Sequence, residues 1–431
     1  MKKTKSLYKQ VRSVPAYLMP AWWHVYDNGI TSRSTDISEE VKQQKKDIQT
    51  LLRQIQRQLQ KEAFEFEQSK GVLIPSKGKK KPRPIVIPSL KSRIVQRSIL
   101  DVLQDNISIQ KYLAFPYSFG GVKRPDGYDF SSLRGVPEAI ETVARAIKSG
   151  CNYYIRSDIK SFFSHIPKQS VLKILSGEIK EPSFLDLIDR SMDVHLRNES
   201  DANIKSFLDL FPSKDVGVAQ GSCLSPLMGN ILLHDFDQVM NSGGVVCIRY
   251  IDDLLILAEN KVLADKAFKE GKKILEGFGL NLHEKFDDPT KAAKGEIKKG
   301  IDFLGVTIQA GSIYPSKQAR GKIIKEINDV FDASKKKRFA SPSLKDTRDY
   351  TLVNTLKMSH NKLKGWGNQY SFCNNNTVFK QMDERLNKEI REYMSSYYAH
   401  MKTLDEAEKR KVLGVHALQD SKYEPIVWED L

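Results

Sequence analysis

The chain has 431 residues, more than one small hydrophobic core can organise, so two or three subdomains are expected. Hydrophobic residues make up 40% of the sequence, which excludes an intrinsically disordered chain. The net charge of +16 predicts a polyanionic partner: nucleic acid first, and an anionic membrane surface second. Without a long apolar segment the membrane alternative has no support, and no membrane partner is expected.

The four cysteines are scattered without CxxC spacing, so neither a zinc site nor a disulfide framework is expected. No apolar signal core follows the charged start of the chain, which predicts a cytoplasmic, unsecreted protein. Trp22 and Trp23 lie in a basic N-terminal stretch that could contact nucleic acid, although core packing is favoured for large aromatics. A helix is predicted from Asp36 to about Glu65, with one strongly basic face that is either solvated or laid along a nucleic-acid backbone.

Residues 76–88 predict a β-hairpin with a basic tip, because Gly and Pro punctuate a β-prone segment. Lys81 and Arg83 belong to a cluster of five cations within seven residues, which is typical of phosphate binding. Helices are predicted over 90–104 and 137–149, separated by a loop rich in Gly, Pro and aromatics over 115–135.

Asp158 ends a β-prone run that begins at Tyr153. An acid at a strand end suits a hard divalent cation, whereas the alternative is a plain N-cap on the next helix. Residues 168–215 are predicted to be helical and polar. Gln220 and Gly221 lie in a turn of small residues that opens a helix and allows close approach of a flat ligand.

Asp252 and Asp253 lie between two apolar, β-prone runs over 245–257, which predicts strand, tight turn and strand with the acids at the turn. The alternative is a solvated Asp-Asp turn. A helix over 263–277, an alternating strand over 279–285 and a strand pair over 300–308 are predicted to follow.

Basic residues cluster from about Ser316, and a domain boundary is predicted between about 311 and 345, with residues 345–412 helical. Asp158 and the Asp252-Asp253 pair, with a basic hairpin ahead of them, suit a two-metal phosphoryl-transfer site. In such a site carboxylates from different strands hold two divalent ions about 3.5–4 Å apart.

The order of these motifs resembles that of reverse transcriptases over about residues 75–310. The resemblance rests on a fingers motif at 81–97, a first palm motif at 153–163, Gln-Gly…Ser-Pro at 219–226 and the YxDD box at 250–253. It continues in residues 279–285, which resemble the GLxLxxxK motif with one residue fewer before the lysine, and in a primer grip at Phe303, Leu304 and Gly305.

Residues 362–370 are similar to the helical thumb of group II intron reverse transcriptases. A departure from intron enzymes is expected, since no zinc-type or HNH endonuclease tail is expected after the thumb, and a departure from retron enzymes is expected, since no VTG-type element is found among the motifs. The chain is therefore expected to belong to the bacterial group II-like branch of reverse transcriptases, which is often associated with phage defence.

The resemblance implies an α+β, right-hand polymerase fold with an antiparallel palm sheet packed on helices. The expected regions are an N-terminal helical extension, fingers, a palm, a basic linker, and a helical thumb with the C-terminal tail. They span, in that order, residues 1–74, 75–150, 151–310 (with part of the fingers inserted between 168 and 218), 311–344 and 345–431.

The resemblance also implies roles. Asp158 and Asp252 would bind two Mg²⁺ ions (with Mn²⁺ as an alternative), Asp253 would assist, and the Ile159 carbonyl would complete one site. Lys285 would protonate the pyrophosphate leaving group. The residues expected to bind the incoming dNTP are Lys81 and Arg83 at the triphosphate, Phe163 under the sugar as a barrier to a 2′-hydroxyl, and Gln220 and Gly221 lining the pocket.

The implied function is synthesis of a DNA product on an RNA template, expected to be a bound, structured non-coding RNA, with a role in antiphage defence. Two alternatives stay open: an RNA-binding maturase or ribonucleoprotein scaffold with a polymerase fold, and an RNA-dependent RNA polymerase. The intact acids argue against a scaffold, and the bulky Phe163 argues against an RNA polymerase. The sequence leaves the primer and the oligomeric state open.

Overall fold

The structure is a computed structural model that describes residues 6–32, 34–75, 81–121, 135–284, 286, 291–338 and 350–415. The chain divides into two compact units, Met1–Ile297 and Lys298–Leu431. Helices and strands occur in both units, so the predicted α+β class is confirmed. Within the described residues, no helix is both long enough and apolar enough to cross a lipid bilayer.

The first unit carries a helical N-terminal region, a two-stranded hairpin and a five-stranded sheet with flanking helices. Its helices are α1 (Leu7–Val11), α2 (Met19–Ile30), α3 (Thr35–Gln44), α4 (Ile48–Gln60), α5 (Leu90–Asp105), α6 (Ile107–Leu113), α7 (Val136–Lys148), α8 (Phe162–His165), α9 (Lys168–Glu178), α10 (Pro182–Met192), α11 (Ala202–Lys205), α12 (Ser225–Met240) and α13 (Lys261–Gly277). Its strands are β1 (Lys70–Ile74), β2 (Arg83–Ile87), β3 (Ser118–Phe119), β4 (Tyr153–Asp158), β5 (Val246–Tyr250), β6 (Asp253–Ala258) and β7 (Ala293–Glu296).

The five-stranded sheet has the order β3-β5-β6-β4-β7. The β5–β6 and β4–β6 pairs are antiparallel, whereas β3 runs parallel to β5. Residues 254–258 of β6 are all buried, because helices α7 and α13 pack against this strand. Burial of successive residues explains why β6 reads as an unbroken apolar run instead of an alternating one.

The N-terminal region corrects two expectations. Trp22 is fully buried as predicted, but its neighbour Trp23 is 44% exposed. The single helix predicted over 36–65 is two helices, α3 and α4, joined by a 3₁₀ turn at Lys45–Asp47. The break lets α3 pack against α2 while α4 packs against α5, which one straight helix could not do.

The second unit begins with a three-stranded antiparallel sheet made of β8 (Ile301–Phe303), β9 (Val306–Gln309) and β10 (Ser312–Pro315). The strand pair predicted over 300–308 is therefore present. The unit continues with helices α14 (Lys317–Arg338), α15 (Leu352–Gln369), α16 (Asn376–Met401) and α17 (Glu406–Leu413).

The basic segment predicted as a linker is mostly the helix α14, and the division between units lies at Ile297/Lys298, before the predicted range of 311–345. This segment folds as a helix because it carries an apolar stripe between its lysines. Ile323, Ile324, Ile327 and Phe331 are buried at helical spacing and pack with residues of α16. The other bounds predicted for the five regions stay predictions.

Candidate active site

The β5–β6 turn holds an unusual backbone conformation. Ile251 has φ of +60°, in the left-handed region that a β-branched residue rarely adopts, and such strain costs on the order of 1–3 kcal/mol. Its N–H donates to the Phe119 carbonyl oxygen at 3.1 Å, and its own carbonyl oxygen accepts from Arg249 Nη1 at 3.0 Å. The turn that precedes Asp252 is thus fixed on both sides of Ile251.

Gly120 explains how β3 can lie so close to this turn. A Cβ on Gly120 would lie 3.0 Å from both the Ile251 side chain and the Tyr250 ring, and the glycine has φ of +88°. Only glycine meets both demands without strain. The aromatic- and glycine-rich loop predicted over 115–135 therefore supports the turn, at least in the part that is described.

The predicted acids converge at one end of the central strands β4 and β6. Asp158 lies directly opposite Asp253 across the β4–β6 pair, and the Ile159 N–H donates to the Asp252 carbonyl oxygen at 2.9 Å. The structure therefore brings together Asp158, Ile159, Asp252 and Asp253. These residues come from two segments of the chain, and about 94 positions separate Asp158 from Asp252 in the sequence.

The electrostatics of this cluster favour a bound cation. Burial raises the pKa of Asp252 to about 7, and the charges of Asp158 and Asp253 add to the effect. Burial likewise raises the pKa of Asp253 to about 6, with a further contribution from Asp158. Lys291 acts to lower the pKa of both acids and Arg156 that of Asp253, but these positive charges do not offset the effects of burial and of the neighbouring carboxylates.

Lys291 makes a direct contact with the cluster. Lys291 Nζ forms an ion pair with Asp158 Oδ2, and both side chains are largely buried. Lys291 could not be predicted from the sequence, because a single lysine after a polar stretch carries no pattern that distinguishes it from a solvated one.

The donor chemistry fits a divalent metal. Carboxylate oxygens and the Ile159 carbonyl are the hard ligands that Mg²⁺ prefers, and the Lys291 ammonium already serves as a stand-in cation on Asp158. These donors suit Mg²⁺ in their atom type and their charge. Their arrangement is not that of a formed metal site, since no group of three or more His, Cys, Asp or Glu side chains in the described ranges is arranged to hold a metal ion.

The Gln220-Gly221 turn joins the hairpin β1–β2 to the start of α12. The Val86 N–H donates to the Gln220 carbonyl oxygen at 2.8 Å. Gly221 has φ of +123°, and a Cβ there would lie 2.4 Å from the Val86 carbonyl oxygen. The predicted small-residue turn is therefore a close backbone contact with the strand that carries Arg83.

The basic hairpin is described only in part. Arg83 begins β2 and is exposed, and Lys81 forms an ion pair with Asp209 at 3.0 Å in which both side chains are more than 60% exposed. A pair so exposed contributes about 0–1 kcal/mol, so Lys81 can exchange Asp209 for another anion at little cost. The remaining lysines of the tip, over 76–80, lie outside the described residues.

Phe162 and Phe163 differ in environment. Phe162 is buried against Gly229, where a Cβ would lie 2.8 Å from its ring, whereas Phe163 is only half-buried. The backbone carbonyl of Phe163 accepts from the Val218 N–H at 2.7 Å, which ties α8 to the segment before Gln220. Phe163 is thus the ring of this pair with surface left to meet a ligand.

The strand predicted over 279–285 is wrong in extent. Leu280 and Leu282 are buried, as the alternation implied, but the segment pairs with Ile159 only through an isolated bridge at Leu282. Two backbone hydrogen bonds form this bridge: the Lys160 N–H donates to the Asn281 carbonyl oxygen, and the His283 N–H donates to the Asp158 carbonyl oxygen. Lys285, predicted as the proton donor, lies outside the described residues.

The predicted primer grip belongs to the second unit. Phe303 is 1% exposed at the end of β8, and Leu304 and Gly305 form the two-residue turn to β9 with φ of +48° and +83°. Two positive φ values are those of a type I′ hairpin turn, in which glycine is favoured. A Cβ on Gly305 would lie 2.9 Å from the Tyr370 hydroxyl.

The chain matches a known protein family. Residues 74–308 match the family model described as reverse transcriptase (RNA-dependent DNA polymerase). The chain is 29% identical to Protein YkfC of Escherichia coli over 276 residues, which cover 55% of this chain and 65% of YkfC. It is 26% identical over 166 residues to the group II intron-encoded protein LtrA of Lactococcus lactis, covering 38% of this chain and 24% of LtrA.

Among solved structures, telomerase from Candida albicans in complex with a fragment of telomeric RNA aligns with a TM-score of 0.43 at 14% identity. That alignment covers 81% of this chain and 60% of the telomerase chain. The chain thus spans less than two thirds of each of these relatives. The family match alone covers more than half of this chain and includes Asp158, Gln220 and the Asp252-Asp253 turn. The chain belongs to the reverse transcriptase (RNA-dependent DNA polymerase) family, and the expected group II intron-like branch fits its relatives.

Proposed function

We propose that this protein is an RNA-directed DNA polymerase that joins deoxynucleotides by two-metal nucleotidyl transfer. The observation that carries the proposal is the convergence of Asp158, Asp252 and Asp253 in a chain of the reverse transcriptase family. The carboxylates of Asp252 and Asp253, partly buried where two strands meet and with raised pKa values, suit cation-assisted chemistry better than a structural role.

Asp158 and Asp252 would hold the ions through their carboxylate oxygens, with Asp253 assisting and the Ile159 carbonyl as a further donor. When bound, Mg²⁺ or Mn²⁺ would neutralise charge that develops on the transferring phosphoryl group. The hydrogen bond between Ile159 N–H and the Asp252 carbonyl fixes the two carboxylate-bearing segments against each other, so their spacing is set before substrate arrives.

In the proposed reaction the 3′-hydroxyl of a primer gives its proton to solvent water, its oxygen bonds to the α-phosphorus of a dNTP, and the bond from that phosphorus to the pyrophosphate oxygen breaks. Lys285 would give a proton to the departing pyrophosphate. Arg83 and Lys81 would grip the triphosphate, and the exposure of both side chains supports this role.

The nucleotide pocket would be completed by Gln220, Gly221 and Phe163. The close contact between Gly221 and Val86 keeps the turn next to the strand that bears Arg83. The half-buried ring of Phe163 would lie under the sugar and exclude a 2′-hydroxyl, which favours dNTPs over NTPs. Phe303, Leu304 and Gly305 would contact the primer.

The template is proposed to be RNA, in particular a structured non-coding RNA that the protein carries. The charge of +16 supports an RNA partner because phosphate neutralisation dominates the affinity of such complexes. A role in antiphage defence is proposed on the family resemblance. If it is correct, cells that carry the gene and its flanking DNA should resist some phages, and Asp252→Asn should abolish resistance.

The polymerase proposal is tested by primer extension. Purified protein should extend a primer on an RNA template with Mg²⁺ and dNTPs, and it should use NTPs far less well. Sequencing of nucleic acid that copurifies with the protein would identify template and product together. Tight RNA binding without any extension, under varied primers and metals, would instead favour the scaffold alternative.

A further inference from the structure

Arg249, on strand β5 of the first unit, is a buried cation. The proposed chemistry gives it no role. It is 0% exposed, and its partner Asp237 on α12 is 2% exposed. An arginine side chain has five N–H donors, and each of the five has a partner here. They are Asp237 Oδ1 (2.8 Å), Asp237 Oδ2 (2.5 Å), Ser118 Oγ (2.6 Å), Asn230 Oδ1 (3.1 Å) and the Ile251 carbonyl oxygen (3.0 Å).

Through these five hydrogen bonds a single side chain of β5 joins α12, β3 and the turn before Asp252. Asp237 and Asn230 belong to α12, Ser118 belongs to β3, and the Ile251 carbonyl belongs to the turn that carries Asp252. The Ile251 carbonyl lies in the same peptide plane as the Asp252 N–H, because the peptide bond is planar. A bond that fixes this carbonyl therefore fixes the orientation in which the chain enters Asp252.

The turn needs such an anchor. Ile251 is held at φ of +60°, and conformations of that kind persist only where the surrounding structure determines them. Its N–H is held by the Phe119 carbonyl, and its carbonyl by Arg249. Without the guanidinium, the peptide before Asp252 would be free to rotate towards a relaxed backbone.

We propose that Arg249 is a positioning residue that fixes the catalytic turn through the Ile251 carbonyl, and that Asp237 orients the guanidinium for this task. The inference rests on the proposed polymerase function. The competing explanation is that the buried pair only stabilises the fold. The two explanations differ because a buried ion pair can often be replaced by apolar residues without loss of stability, whereas an apolar residue cannot donate to the Ile251 carbonyl.

The test compares Arg249→Met with the double variant Arg249→Met/Asp237→Leu. The single variant leaves the Asp237 charge buried without its partner and should be much less stable than the wild type. The double variant removes both charges and should recover most of that stability. We expect it to remain about 100-fold below the wild type in kcat for primer extension, with KM for dNTP within about threefold, since a misplaced catalytic group reduces the rate more than it reduces binding.

Two further variants complete the design. Lys168→Met removes another buried cation, 1% exposed and paired with Asp193, whose bonds do not reach the turn, so kcat per folded molecule should stay near the wild-type value. Ile251→Gly added to the double variant should recover at least about threefold in kcat, since glycine adopts positive φ without strain. A purely structural role of Arg249 would not predict this recovery.

A folded double variant with kcat within about threefold of the wild type would overturn the proposal. If the double variant does not fold, Arg249→Lys takes its place, because it keeps the pair with Asp237 but lacks the fork of donors. Arg249→Lys should lose at least about tenfold in kcat, and unchanged kcat would again overturn the inference. Absence of extension by the wild type and by Lys168→Met would instead refute the proposed function.

Discussion

Asp252→Asn should make the metal-free protein more stable while it abolishes synthesis. Asp252 has a pKa of about 7 against an ordinary value of 3.8, first because of burial and then because of repulsion from Asp158 and Asp253. An acid with a raised pKa in the folded state binds its proton more tightly there than in the unfolded chain. Ionisation therefore opposes folding above pH 7, and this penalty disappears as the pH falls towards 4.

The size of the effect follows from the two pKa values. Each tenfold change in proton affinity is worth about 1.4 kcal/mol, which sets a ceiling of roughly 4 kcal/mol at pH 8. Part of the charge is offset by Lys291, and water reaches the half-buried carboxylate, so a gain of about 2–4 kcal/mol in the free energy of unfolding is expected.

The assay is urea unfolding with a metal chelator at several pH values between 5 and 8. At pH 8 the free energy of unfolding should be larger for Asp252→Asn than for the wild type, and this difference should shrink as the pH falls. Asp36→Asn is the matched control, because this acid is 76% exposed and Lys70 is its one ion-pair partner among the residues that the structure describes, so its removal should change little. Added Mg²⁺ should stabilise the wild type and not Asp252→Asn.

Equal stability of the wild type and Asp252→Asn at pH 8, or a difference that does not depend on pH, would refute the electrostatic reasoning. Such a result would mean that Asp252 is already neutralised by its surroundings. The cluster would then have no unmet demand for a cation, and Mg²⁺ would be expected to bind weakly.

Other predictions concern the substrate residues. Phe163→Val should raise the use of NTPs relative to dNTPs by about tenfold or more in kcat/KM, and unchanged selectivity would contradict its role at the sugar. Lys285→Ala should lower kcat by about 10²–10⁴ with little change in KM; a change in KM alone would show that it binds rather than donates a proton. Arg83→Ala should raise KM for dNTP more than Lys81→Ala does, because only Arg offers a bidentate fork. Gly221→Ala should lower the free energy of unfolding by about 1–3 kcal/mol through contact with the Val86 carbonyl, and a neutral effect by calorimetry would contradict that contact.

Much of the site could be predicted because its strands carry strong local patterns. The apolar runs on both sides of Asp252 and the β-prone run before Asp158 predict strands that the structure contains, with the acids at their ends. The opposition of Asp158 and Asp253 across β4 and β6 was not available from these patterns, since register depends on contacts between distant segments.

Other features left little trace in the sequence. Arg249 lies in the same stretch as Asp252, but nothing local reveals that its five donors are buried and satisfied by α12, β3 and the turn. The positive φ of Ile251 runs against its β-branched side chain, so propensity would not suggest it. The apolar stripe of α14 was hidden because lysines dominate the composition of that helix.

The most direct test of the central claim is the rate of single-nucleotide incorporation on a primed RNA template, measured under single-turnover conditions with saturating Mg²⁺ and dNTP. Asp158→Asn and Asp252→Asn should each fall at least about 10³-fold below the wild type, while Asp36→Asn should match it. Incorporation by folded Asp252→Asn at a rate close to that of the wild type would contradict the assignment of the β5–β6 turn as the catalytic site.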